Sequence, residues 1–102
     1  MSEAKIETII AERIGENIPN AEVFVRDMYN DGEHFESVVI SSAFEGIPLV
    51  KQHQMVMTAL KEAFQTSVHA LKLKTFTPTK WKEVHAEFKW TEKGPCWHKS
   101  IN

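Results

Sequence analysis

The 102-residue sequence predicts a single α+β domain: a two-layer sandwich with helices on one side of a three-stranded mixed sheet. Three observations carry this expectation. Apolar residues recur at helical spacing at Ile6, Ile9, Ile10 and Ile14, and again from Leu49 to Phe64. They alternate at strand spacing around Val23, Val38 and Leu71. The composition, 42% hydrophobic and 25% charged, is that of one ordinary globular domain with no room for a second.

Each element has its own local reason. Ser2 is the expected N-cap of the first helix, with Glu3 in its first turn. The run Gly15 to Pro19 is expected to end it. Ala21 to Tyr29 forms strand one, with Val23 and Val25 on one face and Phe24 and Arg26 on the other. Asn30-Asp31-Gly32-Glu33 supplies the hairpin turn, because these residue types tolerate a left-handed backbone. His34 to Ser41 is strand two, weighted by Val38, Val39 and Ile40.

Glu45-Gly46-Ile47-Pro48 breaks the strand pattern. The stripe Leu49, His53, Val56, Leu60, Ala63 and Phe64 then marks the central helix. Ser67 to Phe76 alternates as strand three, with His69, Leu71 and Leu73 opposite Val68, Ala70, Lys72 and Lys74. Thr77-Pro78 caps a last helix whose inner face holds Trp81, Val84, His85 and Phe88, and Gly94-Pro95 stops it. The residues from Cys96 to Asn102 have no period. The order read from the residues is α-β-β-α-β-α.

Composition narrows the chemistry. There is one cysteine against five histidines. That excludes an internal disulfide, a thiolate-rich zinc site, and a self-contained iron–sulfur cluster, which draws on about four cysteines. No apolar stretch is long enough to span a membrane, and residues 1–5 lack the pattern of a signal peptide. A cytoplasmic monomer is the expectation, although a form processed on entry to an organelle would have lost its presequence. Nucleotide-binding, metalloprotease and serine-hydrolase motifs are all missing. Charge is uneven: residues 1–45 carry a net −7 and residues 46–102 a net +5. Lys72, Lys74, Lys80 and Lys82 cluster with no acid among them. They suit a phosphate or an acidic protein, or simply a solvated strand end and helix start.

The histidines divide by position. His53 and His85 fall on inner helix faces and read as packing, and His98 belongs to the aperiodic tail. His34 and His69 begin strands two and three, where side chains can reach solvent at a sheet end. Neutral imidazoles there suit a borderline metal if a partner completes the shell. Periodicity does not say whether the two meet.

An ordered set of short motifs resembles the BolA family. These are His34-Phe35, Val38-Val39-Ile40-Ser41, Phe44-Glu45-Gly46, Gln52-His53-Gln54, Val68-His69-Ala70-Leu71, Thr77-Pro78 and Trp81. The similarity runs from about residue 5 to 83. The short turn at Asp31-Gly32-Glu33-His34 and the run Lys51-Gln52-His53-Gln54 resemble that family's short-loop branch. Residues 1–90 are therefore expected as the domain and 91–102 as a C-terminal tail.

The resemblance implies an α-β-β-α-α-β-α order related to the class II KH fold, with an extra short helix at Ile47 to Val50. It implies partnership with a monothiol glutaredoxin, sharing a [2Fe-2S] cluster for cluster trafficking or iron sensing. The glutaredoxin would give one cysteine, glutathione a second thiolate, and this chain the histidine at His69. A second ligand would come from the loop between the first two strands, where His34 is the candidate. In longer-loop relatives that ligand precedes the strand-two aromatic by several residues; here His34 directly precedes Phe35. Neutral imidazoles raise a cluster's potential, and their protonation favours its release. The alternative implied role is a DNA-binding transcription regulator. Lys51 would then follow a helix-turn-helix bend, and Lys72, Lys74, Lys80 and Lys82 would meet phosphates. Against it stand a sequence pI near 6.2 and the missing KH signature. A third reading is an adaptor that binds glutaredoxin without a cluster.

Overall fold

A computed structural model of the chain describes residues 6–61, 70–94 and 97–98. Helix α1 spans Ile6–Asn17 and strands β1 and β2 span Glu22–Asp27 and His34–Ile40. A 3-10 turn at Ser42–Phe44 leads to α2, Leu49–Lys61, and then β3, Ala70–Phe76. Helix α3 is Pro78–Val84, followed by 3-10 turns at His85–Glu87 and Lys89–Lys93 and a two-residue β4 at Trp97–His98. The expected cap at Ser2, the stripe residues Ala63 and Phe64, and the start of strand three at Ser67 lie outside the described residues.

The sheet order is β3-β2-β1-β4. β1 and β2 pair antiparallel, from Glu22↔Ile40 to Asp27↔Phe35. β2 and β3 pair parallel, from His34↔Ala70 to Ile40↔Phe76. Parallel strands need a long crossover, and α2 is that crossover. The expected mixed sheet of three strands is thus present, and β4 extends it along β1.

Helices α1 and α2 cover one face of the sheet. Ile10, Ala11 and Ile14 of α1 and Val56 and Leu60 of α2 pack there on Val23, Val25, Phe35 and Val39. β2 lies between two neighbours and is buried from Phe35 to Ile40. The other face is covered too. Phe24, Val38 and Ile40 meet Phe76, Trp81, Phe88 and Trp90 from the C-terminal segment. Arg26 lies 4.8 Å over the Trp90 ring while its guanidinium pairs with the buried Glu36 at 2.6 Å. Covering both faces explains why Val23, Phe24 and Val25 are all buried instead of alternating.

Several local expectations shift. α1 ends at Asn17, within the expected stop from Gly15 to Pro19, and Gly15 itself is still helical. A Cβ at Gly15 would lie 2.1 Å from the Trp97 ring, so glycine here seats the indole. The chain then reverses at Pro19-Asn20, with Asn20 at φ 57°. The extra short helix expected at Ile47 to Val50 is the turn at Ser42–Phe44, and Leu49 and Val50 already belong to α2. Ser41 fixes that turn: its Oγ donates to the Pro19 carbonyl and accepts from the Ala43 N–H at 3.0 Å. The inner stripe of α2 holds at Val56 and Leu60 but differs in the first turns. Gln52 is buried, His53 is half-buried and Leu49 is exposed. Gln52 Nε2 donates to the Ile47 carbonyl at 2.7 Å and its Oε1 accepts from Thr75 Oγ1 at 2.7 Å. A satisfied amide thus takes the inward place, consistent with the rule that buried polar groups are paired.

The last helix is shorter than its capping signals suggest. Thr77 Oγ1 accepts from the Lys80 N–H at 3.3 Å, and Pro78 takes the first helical position, as expected. The α-helix ends at Val84, however, and His85 is exposed rather than inward. The 3-10 turns that follow wrap Phe88 and Trp90 around the sheet. The aperiodic tail also contributes structure: β4 pairs Trp97 with Val23, and Trp97 packs on the main core.

Candidate functional site

The loop 28–33 joins β1 to β2 and is built by two aspartates. Asp27 accepts from the N–H groups of Asp31 and Gly32, at 3.1 and 2.7 Å. Asp31 Oδ1 accepts from the N–H groups of Glu33 and His34, at 2.9 and 3.1 Å. Asn30 and Gly32 take φ 55° and 73°, the backbone that the residue types predicted. The Met28 N–H closes the loop on the His34 carbonyl at 2.9 Å.

His34 opens β2 at this end of the sheet with its side chain 45% exposed. Its Nδ1 lies 2.8 Å from Asp31 Oδ2. The Tyr29 ring stands edge-on at 5.3 Å and is itself exposed. The Glu33 backbone N–H and the His34 side chain hold the Asp31 carboxyl at about 2, below its usual 3.8. The His34 backbone N–H adds to this. A carboxylate only accepts hydrogen bonds, so Nδ1 must donate the proton. In the neutral ring that leaves the Nε2 lone pair for a metal or another donor.

His69 lies outside the described residues, as does Cys96. Ala70, the residue that follows His69 in the chain, is the parallel register partner of His34. The starts of β2 and β3 therefore share one end of the sheet. Among the described residues no group of three or more histidine, cysteine, aspartate or glutamate side chains could hold a metal. The described donors at this end, the His34 imidazole and the Asp31 carboxylate, are too few for a complete metal shell.

The lysines are distributed differently. Lys72 and Lys74 are exposed on β3, in register with Glu36 and Val38. Lys80 and Lys82 are exposed on α3, and Lys80 lies 3.7 Å from Glu83. Lys51 belongs elsewhere. It lines a groove of about 460 Å³ with Asn17, Ile18, Ile47, Gln54 and Met55, where α1 ends and α2 begins. That is the opposite end of β2 from His34, roughly 20 Å along the strand at the usual rise.

The sequence reading missed Asp31 as a partner of His34, seeing it only as a turn residue. The i, i+3 spacing of Asp31 and His34 across the turn was the available signal.

The family model described as BolA-like protein matches residues 10–80. Over 50 residues the chain is 44% identical to BolA-like protein 1 of Bos taurus, covering 49% of this chain and 37% of that protein. Over 49 residues it is 43% identical to the DNA-binding transcriptional regulator BolA of Haemophilus influenzae, covering 48% of each. These matches span half or less of either relative. The solved structure of a bolA protein homologue from Coxiella burnetii is 34% identical with a TM-score of 0.61. That likeness covers 72% of this chain and 91% of the homologue.

Proposed function

The chain belongs to the BolA-like family, and on that premise we propose that it is the histidine-bearing half of a shared [2Fe-2S] site. A monothiol glutaredoxin and glutathione supply the thiolates, and the assembly serves cluster trafficking or iron sensing. The role is binding rather than catalysis, in the cytoplasm or within an organelle.

One observation carries the reading: the parallel register that pairs His34 with Ala70. Sequence alternation groups His69 with Leu71 and Leu73, and His69 directly precedes the residue in register with His34. His69 is the principal ligand and His34 the second. The exposed end, flanked by Tyr29, leaves room for a partner's surface. The cluster would have two thiolates on one iron and neutral imidazoles on the other, which raises its potential and favours its transfer.

The experiment is to mix the chain with a monothiol glutaredoxin, glutathione, iron and sulfide, and to record the visible spectrum. The chain alone is expected to be colourless and the mixture to gain cluster absorption. His69→Ala should change the spectrum and shorten cluster retention; an unchanged spectrum and retention would falsify the ligand assignment.

The name of the Haemophilus influenzae relative favours a second reading, a DNA-binding regulator. Exposed Lys72, Lys74, Lys80 and Lys82 would contact phosphates there, with Lys51 contributing from the other end. Duplex affinity should then fall steeply with salt. A titration without binding at low salt removes this reading.

A further inference from the structure

We propose that Asp31 is a positioning residue for His34, holding its imidazole as the Nδ1–H tautomer so that Nε2 is the ligating atom. The inference rests on the shared-cluster reading for what His34 ligates, but the tautomer itself is a property of this chain alone.

The geometry is specific. Asp31 divides its two oxygens between two tasks. Oδ1 accepts the backbone N–H groups of Glu33 and His34, which fixes the carboxylate against the loop. Oδ2 is thereby aimed at the His34 ring and meets Nδ1 at 2.8 Å. Asp27 in turn holds the Asp31 and Gly32 backbone, so the orienting group is itself oriented. Tyr29 packs edge-on against the ring and limits its rotation. An unrestrained neutral histidine favours the proton on Nε2, which would block that nitrogen as a ligand. The Asp31 acceptor reverses the preference and makes Nε2 the more basic nitrogen. Carboxylates behind ligating histidines commonly have this effect.

Across this tight turn Asp31, three residues before His34, reaches both its backbone N–H and its ring. The loop thus sets the ligating atom as well as the ligand's place.

The test begins with the chain alone, labelled with ¹⁵N on histidine, near pH 8.5, about two units above the ordinary histidine value. Long-range ¹H–¹⁵N correlations read the tautomer directly. The wild-type protein is expected to show His34 protonated mainly on Nδ1. A majority of the Nε2–H form would overturn the inference whatever the cluster does. Asp31→Asn keeps one amide oxygen for the backbone N–H groups and turns an NH₂ toward Nδ1. The tautomer should invert while the Glu33 and His34 amide signals stay in place. If those signals are lost, Asp31→Glu serves instead, restoring an acceptor and with it the Nδ1–H form.

With glutaredoxin and glutathione, Asp31→Asn should lose its cluster about 10-fold to 100-fold faster than wild type, the usual range for removing such a partner. A retained cluster lifetime together with an inverted tautomer overturns the positioning role. If the wild-type mixture gathers no cluster, the shared-cluster reading fails first and takes the ligating role of Nε2 with it. The tautomer spectra separate that outcome from a misassigned Asp31.

Discussion

The Gln52–Thr75 hydrogen bond is expected to couple α2 to β3 with a measurable energy. Both side chains are buried, and the bond is 2.7 Å. Thr75→Val keeps the shape but removes the donor, so Gln52 Oε1 is left in the core without it. An orphaned buried acceptor costs about 1–3 kcal/mol. Gln52→Met keeps the length but orphans Thr75 Oγ1 and also loses the donor to the Ile47 carbonyl. That change should cost about 2–4 kcal/mol. In the double variant neither partner is left stranded by the other, and only the Ile47 carbonyl remains unpaired. Its cost should fall to about 1–3 kcal/mol, well below the sum of the singles. The assay is urea unfolding followed by fluorescence. With a slope of about 1 kcal/mol/M for a chain this small, Thr75→Val should lower the midpoint by roughly 1–3 M at unchanged slope. If the two substitutions add to within about 0.5 kcal/mol, the bond does not couple the elements and the reasoning is refuted.

The remaining predictions concern the tail and the loop. Gly15→Ala places a methyl 2.1 Å from the Trp97 ring and must push the indole out of its seat. The expected result is a red-shifted tryptophan emission and a net loss of stability, even though alanine gains about 1 kcal/mol in helix propensity. An unshifted emission with raised stability would contradict the close approach. Asp31 has a carboxyl held at about 2 in the folded chain against 3.8 ordinarily. Its contribution to loop order is therefore complete above the ordinary value and is lost as pH falls through about 2. The Glu33 and His34 amide resonances should move together with a midpoint near there, and a midpoint at the ordinary carboxylate value would remove the proposed bonding.

The imidazole end was partly legible. His34 and His69 could be put at strand starts from alternation alone. Asp31 could not be tied to His34, because a turn signal says which residues bend the chain and not where their oxygens point. The α2 stripe was legible at Val56 and Leu60 but not in its first turns, because apolar spacing does not show where a polar side chain finds inward partners. Burial chose Gln52, whose amide finds the Ile47 carbonyl and the Thr75 hydroxyl. The C-terminal segment was the least legible. Nothing periodic in it announces that Trp97 will find the gap left by Gly15, or that Trp90 will lie under Arg26.

By itself the sequence determined the kinds and order of the main elements, the turn at the loop tip, the Thr77-Pro78 helix start and the shortage of thiolates. These follow from spacing, propensity and composition, which act within a few residues. Only the tertiary structure decided that the parallel third strand lies beside β2 rather than β1, in a register that sets Ala70 opposite His34. Strand alternation is the same whichever neighbour a strand takes, so it cannot choose between the two edges of the hairpin. The choice was made by α2 crossing one face of the sheet to bury Val56 and Leu60. That crossing returned the chain to the end of the sheet where His34 begins.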